Sequence, residues 1–392
     1  MLNKRMQKLG EERSVIRELF EYGNARKRQI GAENVFDFSL GNPSVPAPAC
    51  VTEEIKKLLK EVPAEVLHGY TSAAGAPDVR EAVANYIRTK FGAPMSAGYV
   101  YMTCGAAASL TVCLNALLEK GDEVVVPAPF FPEYRVFIEN AGGNLVHAPT
   151  DFRFHLDVSA IERAITPRTK AVIINSPNNP TGAVYSREEM KALGALLTRK
   201  SKEKGGPIFL LADEPYRELC YGGEPVYPMT VYENTLVLYS FSKSLSLAGE
   251  RIGYVAVSPK CANADEVFSA VCGAGRSLGF VCAPSLFQRV VARCLGMHSD
   301  IGEYMANRDL LYSALTKMGY ECVPPEGAFY LFVKSPEPDA KRFCERAKKY
   351  ELLFVPSDSF GVEGYVRISY CVSRETIKRS LPAFEKLIAE YK

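Results

Sequence analysis

The chain has 392 residues, a formal net charge of +2, and 23% charged against 47% hydrophobic residues. That length suits one large domain with a smaller companion, and the composition is that of an ordinary globular chain, neither disordered nor fibrous. So small a net charge gives no electrostatic reason to expect nucleic acid or a membrane surface as partner, and a small-molecule enzyme is the simpler expectation.

The opening residues 1–12 carry Lys4, Arg5, Lys8, Glu11 and Glu12 without an apolar core, so no secretory signal is expected. Helical patterns follow at 11–28 and 52–61, with a proline-rich turn at 41–48 between them. From 102 to 258, short apolar β-rich runs at 123–127, 144–148, 171–175, 208–212, 235–241 and 253–257 alternate with helical spacers. Runs apolar at every position, such as Ala171-Val172-Ile173-Ile174, imply strands buried on both faces. The C-terminal third differs, with helical patterns at 284–319 and 374–391 around aromatic-rich strands at 328–333 and 365–370. The expected fold is α/β: a large domain with a mostly parallel sheet covered by helices, plus a smaller α+β domain. The large domain is placed at 45–280 and the small one at 1–44 and 281–392.

No stretch is long and apolar enough to span a bilayer. The 11 cysteines are odd in number and lack a C-x-x-C pair, which supports neither a disulfide framework nor a zinc site. A reducing, cytoplasmic setting is expected. The histidines at 68, 147, 155 and 298 show no metal spacing and are read as structural; Gly273, Gly275 and Gly279 miss the dinucleotide fingerprint.

In open α/β sheets, ligands sit outside the carboxyl ends of the strands, so polar residues there are the candidates. Ser240-Phe241-Ser242-Lys243 follows one apolar run, with Arg251-Ile252-Gly253-Tyr254 beginning eight residues beyond the lysine. A lysine in general is a solvated surface residue. At a buried strand end it can be desolvated enough to offer the neutral amine that Schiff-base chemistry needs. Asp213-Glu214-Pro215-Tyr216 ends another run; its aspartate suits a protonated ring nitrogen or an ordinary turn, and Tyr216 a cofactor phenolate or the core. The turn Ser176-Pro177-Asn178-Asn179-Pro180-Thr181-Gly182 is ordinary turn chemistry by composition, with Asn179 offering a donor and an acceptor on a rigid support. Thr103-Cys104-Gly105-Ala106-Ala107-Ala108-Ser109 opens a helix with small residues, a weak sign of a phosphate cradle that Ser240, Ser242 and Arg251 would complete. Tyr365-Val366-Arg367-Ile368-Ser369 alternates, leaving Arg367 either outward or free to grip a substrate α-carboxylate.

Taken in order, Asn179-Pro180-Thr181-Gly182, Asp213-Glu214-Pro215-Tyr216, Ser240-Phe241-Ser242-Lys243, Arg251-Ile252-Gly253-Tyr254 and Arg367 resemble the class I/II aminotransferases of the aspartate aminotransferase superfamily, fold type I. The likeness runs from Leu40-Gly41-Asn42-Pro43 and Tyr70-Thr71-Ser72-Ala73-Ala74-Gly75 to the C-terminal helix. It implies a transaminase that uses pyridoxal 5'-phosphate to move an amino group between an L-amino acid and a 2-oxo acid, with glutamate and 2-oxoglutarate as one pair. By the same likeness Lys243 carries the cofactor as an internal aldimine and moves the substrate proton, Asp213 pairs with the ring nitrogen, and Tyr216 and Asn179 contact the ring oxygen. Ser240, Ser242, Arg251 and the amides of Ala106 and Ala107 would hold the phosphate, with Tyr70 lent across a homodimer interface. Arg367, Asn179 and the backbone of Gly41 would bind the substrate carboxylate, and Phe131 would stack on the ring. The chain has no tryptophan, a departure from aspartate-type relatives, and Arg276 stands near where a second carboxylate would be read, although a surface position fits it as well. The same fold and lysine serve a β-C–S lyase. A ligand-sensing regulator would need a DNA-binding domain ahead of Gly41, where no basic recognition helix is found.

Overall fold

Seven strands build the central sheet: β1 Val100–Thr103, β2 Glu123–Ala128, β3 Asn144–Pro149, β4 Thr169–Asn175, β5 Phe209–Asp213, β6 Thr235–Ser240 and β7 Gly253–Val257. Their order is β1-β7-β6-β5-β4-β2-β3. Only β7 runs against its neighbours; the other pairings are parallel. The computed structural model describes residues 2–11 and 15–392, so part of the helix expected at 11–28 lies outside the described residues.

Period-two alternation explains why the strands are apolar throughout. Val172, Ile174, Leu210, Ala212 and Val237 enter one helical layer, while Ala171, Ile173, Phe209, Leu211 and Leu236 enter the other. Helix Arg187–Lys204 on one side starts with a capping box between Ser186 and Glu189 and stops at Gly205 in the left-handed conformation. The sequence reading lacks β1, whose run is too short to stand out beside the helix start at Ala106.

A second body holds the antiparallel sheet of β8 Tyr330–Lys334, β9 Val355–Pro356 and β10 Tyr365–Ser369, in the order β9-β10-β8. Phe36–Asp37 pairs in parallel with Leu352–Leu353, which ties the N-terminal segment to this body. Tyr304, Leu311, Phe343 and Phe384 from its helices share one core with Phe329 and Ile368. The pattern expected as one helical stretch at 284–319 is two helices, Ser285–Arg293 and Ile301–Met318. The first places Val290 and Val291 in the core of the large sheet, and Cys294 also packs there, ahead of the left-handed Gly296.

His155 bridges the layers: Nδ1 lies 3.1 Å from Glu189 Oε2 and Nε2 lies 3.3 Å from Glu326 Oε2. Those two carboxylates push its imidazolium up to about 10. All eleven cysteines are free thiols. Among the described residues no helix is long and apolar enough to cross a membrane, and no group of side chains is placed to hold a metal ion.

Candidate active site

The carboxyl ends of β1, β4, β5 and β6 face the second body across a cavity of about 370 Å³. Gly41, Ala106, Ala107, Phe131, Asn179, Asp213, Tyr216, Ser240, Ser242, Lys243, Arg251 and Arg367 all line it. Two residues weighed from sequence do not. Tyr70 is 99% exposed, and Arg276 lies exposed near the end of helix Ala264–Leu278.

Asn175, the last residue of β4, fixes the floor. Its Nδ2 donates to the Asp213 carbonyl at 2.8 Å and its Oδ1 accepts from the Asn179 amide at 2.8 Å, locking a neighbouring strand end and the following turn together. Asp213 is buried. Its Oδ2 accepts a 2.5 Å hydrogen bond from the Tyr134 hydroxyl, while Oδ1 has no partner. Burial pushes the carboxyl up to about 7, Tyr134 opposes the shift, and the Glu214 charge adds to it. An orphaned buried carboxylate oxygen costs free energy unless a ligand satisfies it.

Lys243 follows β6, and its Nζ donates to the Gly41 carbonyl at 2.7 Å and lies 5.6 Å from the Phe329 ring centre. Desolvation lowers its ammonium to about 8, and the charges of Arg251 and Arg367 act the same way against an opposing influence from Cys371. The amine is thus far closer to its neutral, nucleophilic form at neutral pH than an ordinary lysine. Glycine at 41 leaves room for the Tyr330 hydroxyl, which a Cβ there would displace.

Beside the lysine lies an anion cradle. Helix Ala106–Leu117 begins at Gly105 with no side-chain cap, leaving its first backbone N–H groups free toward the cavity. The Ser240 and Ser242 hydroxyls are 2.8 Å apart, and Arg251 reaches Ser242 Oγ at 3.5 Å. Gly105 has φ +87°, and a Cβ on it would approach Arg251 Nη2 to 3.0 Å, so glycine lets the guanidinium close on the helix end.

Arg367 is 2% exposed, yet its charge faces the cavity. Nη1 donates to Asn179 Oδ1 at 3.0 Å and Nη2 to the Ser39 carbonyl at 2.6 Å; Nε has no partner. The guanidinium also sits 4.6 Å from the Tyr330 ring centre and 5.3 Å from that of Phe360. The Tyr216 hydroxyl meets that of Tyr330 at 2.8 Å. Sequence reasoning missed Tyr134, Asn175 and Tyr330. Only Asn175, a polar residue closing an apolar run, left a local signal.

The residues present fit pyridoxal 5'-phosphate on three counts. A nucleophilic amine meets an aldehyde, an unpartnered buried carboxylate oxygen meets a protonatable ring nitrogen, and an uncapped helix end with two serines and an arginine meets a phosphate dianion.

The family "Aminotransferase class I and II" matches residues 33–384. Aspartate/prephenate aminotransferase from Thermus thermophilus is 32% identical, with 93% of this chain and 94% of that protein covered. Aromatic-amino-acid aminotransferase 2 from Thermococcus litoralis is 30% identical over 97% and 96%. Among solved structures, an amino transferase from Eubacterium rectale is 53% identical with a TM-score of 0.98 over 100% and 99% of the two chains. Thermus thermophilus aspartate aminotransferase with maleate is 30% identical with a TM-score of 0.87 over 99% of each.

Proposed function

The chain belongs to the class I and II aminotransferases, it is a pyridoxal-phosphate-dependent transaminase, and from that premise we propose the roles of its cavity residues. When bound, the cofactor supplies an aldehyde carbon that takes up the amino group and a ring that withdraws charge from the substrate α-carbon. Lys243 holds it covalently. The Lys243 amine, lowered to about 8 and held in the cavity, would accept and give back the substrate α-proton; proximity adds to basicity. Asp213 would keep a proton on the ring nitrogen, and its Oδ1 is unpartnered and available for that role. Tyr216 and Asn179 would hydrogen-bond the ring oxygen, and Phe131 would pack on the ring. Ser240, Ser242, Arg251 and the Ala106 and Ala107 amides bind phosphate. Arg367, with Asn179 and Gly41, orients the α-carboxylate through its planar fork.

Glutamate and 2-oxoglutarate serve as one pair in this reading, the enzyme is cytoplasmic, and the second body forms a small domain against a large one. Tyr70, almost fully exposed, is the residue a second copy would receive at its phosphate site, which makes the working unit a homodimer. Mixing Lys243→Ala and Tyr70→Ala chains tests this, because the hybrid alone has one site with both groups intact, and activity above the sum of the parents is expected.

The observation that carries the reading is the convergence of the Lys243 amine and the unpartnered Asp213 oxygen on one cavity. The test is an absorbance titration of the holoenzyme with a panel of amino acids, alongside assays for 2-oxo acid and ammonia. Stoichiometric amino transfer is expected, and steady ammonia or sulfide release would favour the β-C–S lyase alternative.

A further inference from the structure

Glu133 begins helix Glu133–Asn140, directly after Phe131 and Pro132, and lines the same cavity. It is half-buried, and among the described residues it has no hydrogen-bond or ion-pair partner. Burial pushes its carboxyl above the usual range and no cation pulls it back. A carboxylate in the first turn of a helix is favoured by the helix dipole, which explains its tolerance there. That does not explain a charge facing a ligand cavity without a counterion.

The charges along the wall show what it faces. Among the described residues Lys243, Arg251 and Arg367 are the cationic side chains lining the cavity, and the proposed mechanism engages each of them with cofactor or α-carboxylate. Arg276 stands outside the wall. Ile16, Leu40, Leu110 and Phe131 give the lining its apolar surface. A substrate side chain entering past these groups meets an aliphatic and aromatic surface, the Glu133 carboxylate and, among the described residues, no uncommitted cation.

We propose that Glu133 is a specificity-determining residue: it favours amino acids whose side chains end in a cation or a neutral hydrogen-bond donor, and it opposes a second carboxylate. The inference rests on Arg367 holding the α-carboxylate. Dicarboxylates such as glutamate are then accepted at a cost that a neutral residue at 133 removes.

Unreactive probes test this without turnover. Glutarate, pentanoate and 4-guanidinobutanoate present the same first carboxylate and end in an anion, a methyl group and a cation. Calorimetric binding to the holoenzyme should rank 4-guanidinobutanoate over glutarate by about tenfold, the factor corresponding to about 1.4 kcal/mol. Glu133→Gln should bring that ratio near one by tightening glutarate, Glu133→Lys should invert it, and KM for glutamate should fall in parallel. Unchanged cofactor absorbance in both variants checks that they fold. Tighter glutarate than 4-guanidinobutanoate in the wild type, or a ratio unmoved by both substitutions, overturns the assignment. If instead Arg367→Lys leaves all three acids bound as before, the carboxylate grip assumed above is what fails.

Discussion

Replacing Tyr134 by phenylalanine removes one oxygen from behind Asp213 and leaves the cavity wall intact. The Tyr134 hydroxyl donates to Asp213 Oδ2 at 2.5 Å inside the core, and both residues are buried. A hydrogen bond to a charged acceptor contributes about 1.5–3 kcal/mol. The bond already lowers an Asp213 carboxyl that burial holds near 7, so its loss moves the group further up and leaves it protonated at neutral pH. A protonated carboxyl pairs poorly with a ring nitrogen that must carry a proton. Cofactor affinity should therefore fall roughly ten- to hundredfold at pH 7.5, with a smaller loss at higher pH where the carboxyl ionises. Equilibrium dialysis of apoenzyme against pyridoxal phosphate across pH 6–9 reads this directly. Thermal melts add a signed check. Asp213 has a folded value near 7 against 3.8 unfolded, so apoenzyme stability falls as pH rises from about 4 through 7, and in Tyr134→Phe the decline continues to higher pH. If the variant binds cofactor as tightly as the wild type at every pH, the hydrogen bond does not set the state of Asp213 and the reasoning fails.

Because Lys243 is lowered to about 8 and must be neutral to attack an aldehyde, the rate at which apoenzyme captures pyridoxal phosphate should rise with pH and reach half its plateau near 8; stopped-flow absorbance reads the curve. Arg367→Lys keeps the charge but loses the fork, so KM for every amino acid and 2-oxo acid should rise about tenfold or more with cofactor binding unchanged, as steady-state kinetics would show. His155 is raised to about 10 against 6.5 unfolded, so its contribution to stability is complete below 6.5 and is lost as pH climbs through 10. Melting temperatures of wild type and His155→Asn should therefore converge above pH 10.

The large sheet could be read from the sequence because burial on both faces forces unbroken apolar runs, and β7, Gly253–Val257, has the bounds expected of it. Strand ends then located Asp213, Ser240 and Lys243 without a structure. Tyr134 and Tyr330 were not legible, because each works through a long-range contact: Tyr134 lies 79 residues from Asp213 and Tyr330 lies 114 from Tyr216. In sequence a buried tyrosine that bonds a cavity residue looks the same as a core tyrosine. The break between helices Ser285–Arg293 and Ile301–Met318 was not legible for a similar reason. Helical periodicity at 284–319 reports an amphipathic face but not which core receives it, and Gly296 alone marks the break.

The two hydrogen bonds of Arg367 lead to different parts of the molecule: Asn179 stands on a turn of the large sheet, and Ser39 belongs to the N-terminal segment paired with the second body. In the proposed roles, the phosphate and ring contacts that this chain supplies come from the sheet side. Any swing between the two bodies is therefore felt by an amino acid before the cofactor senses it, and substitutions that loosen their apposition should yield an enzyme that stays fully charged with cofactor yet grows short-sighted toward its substrates.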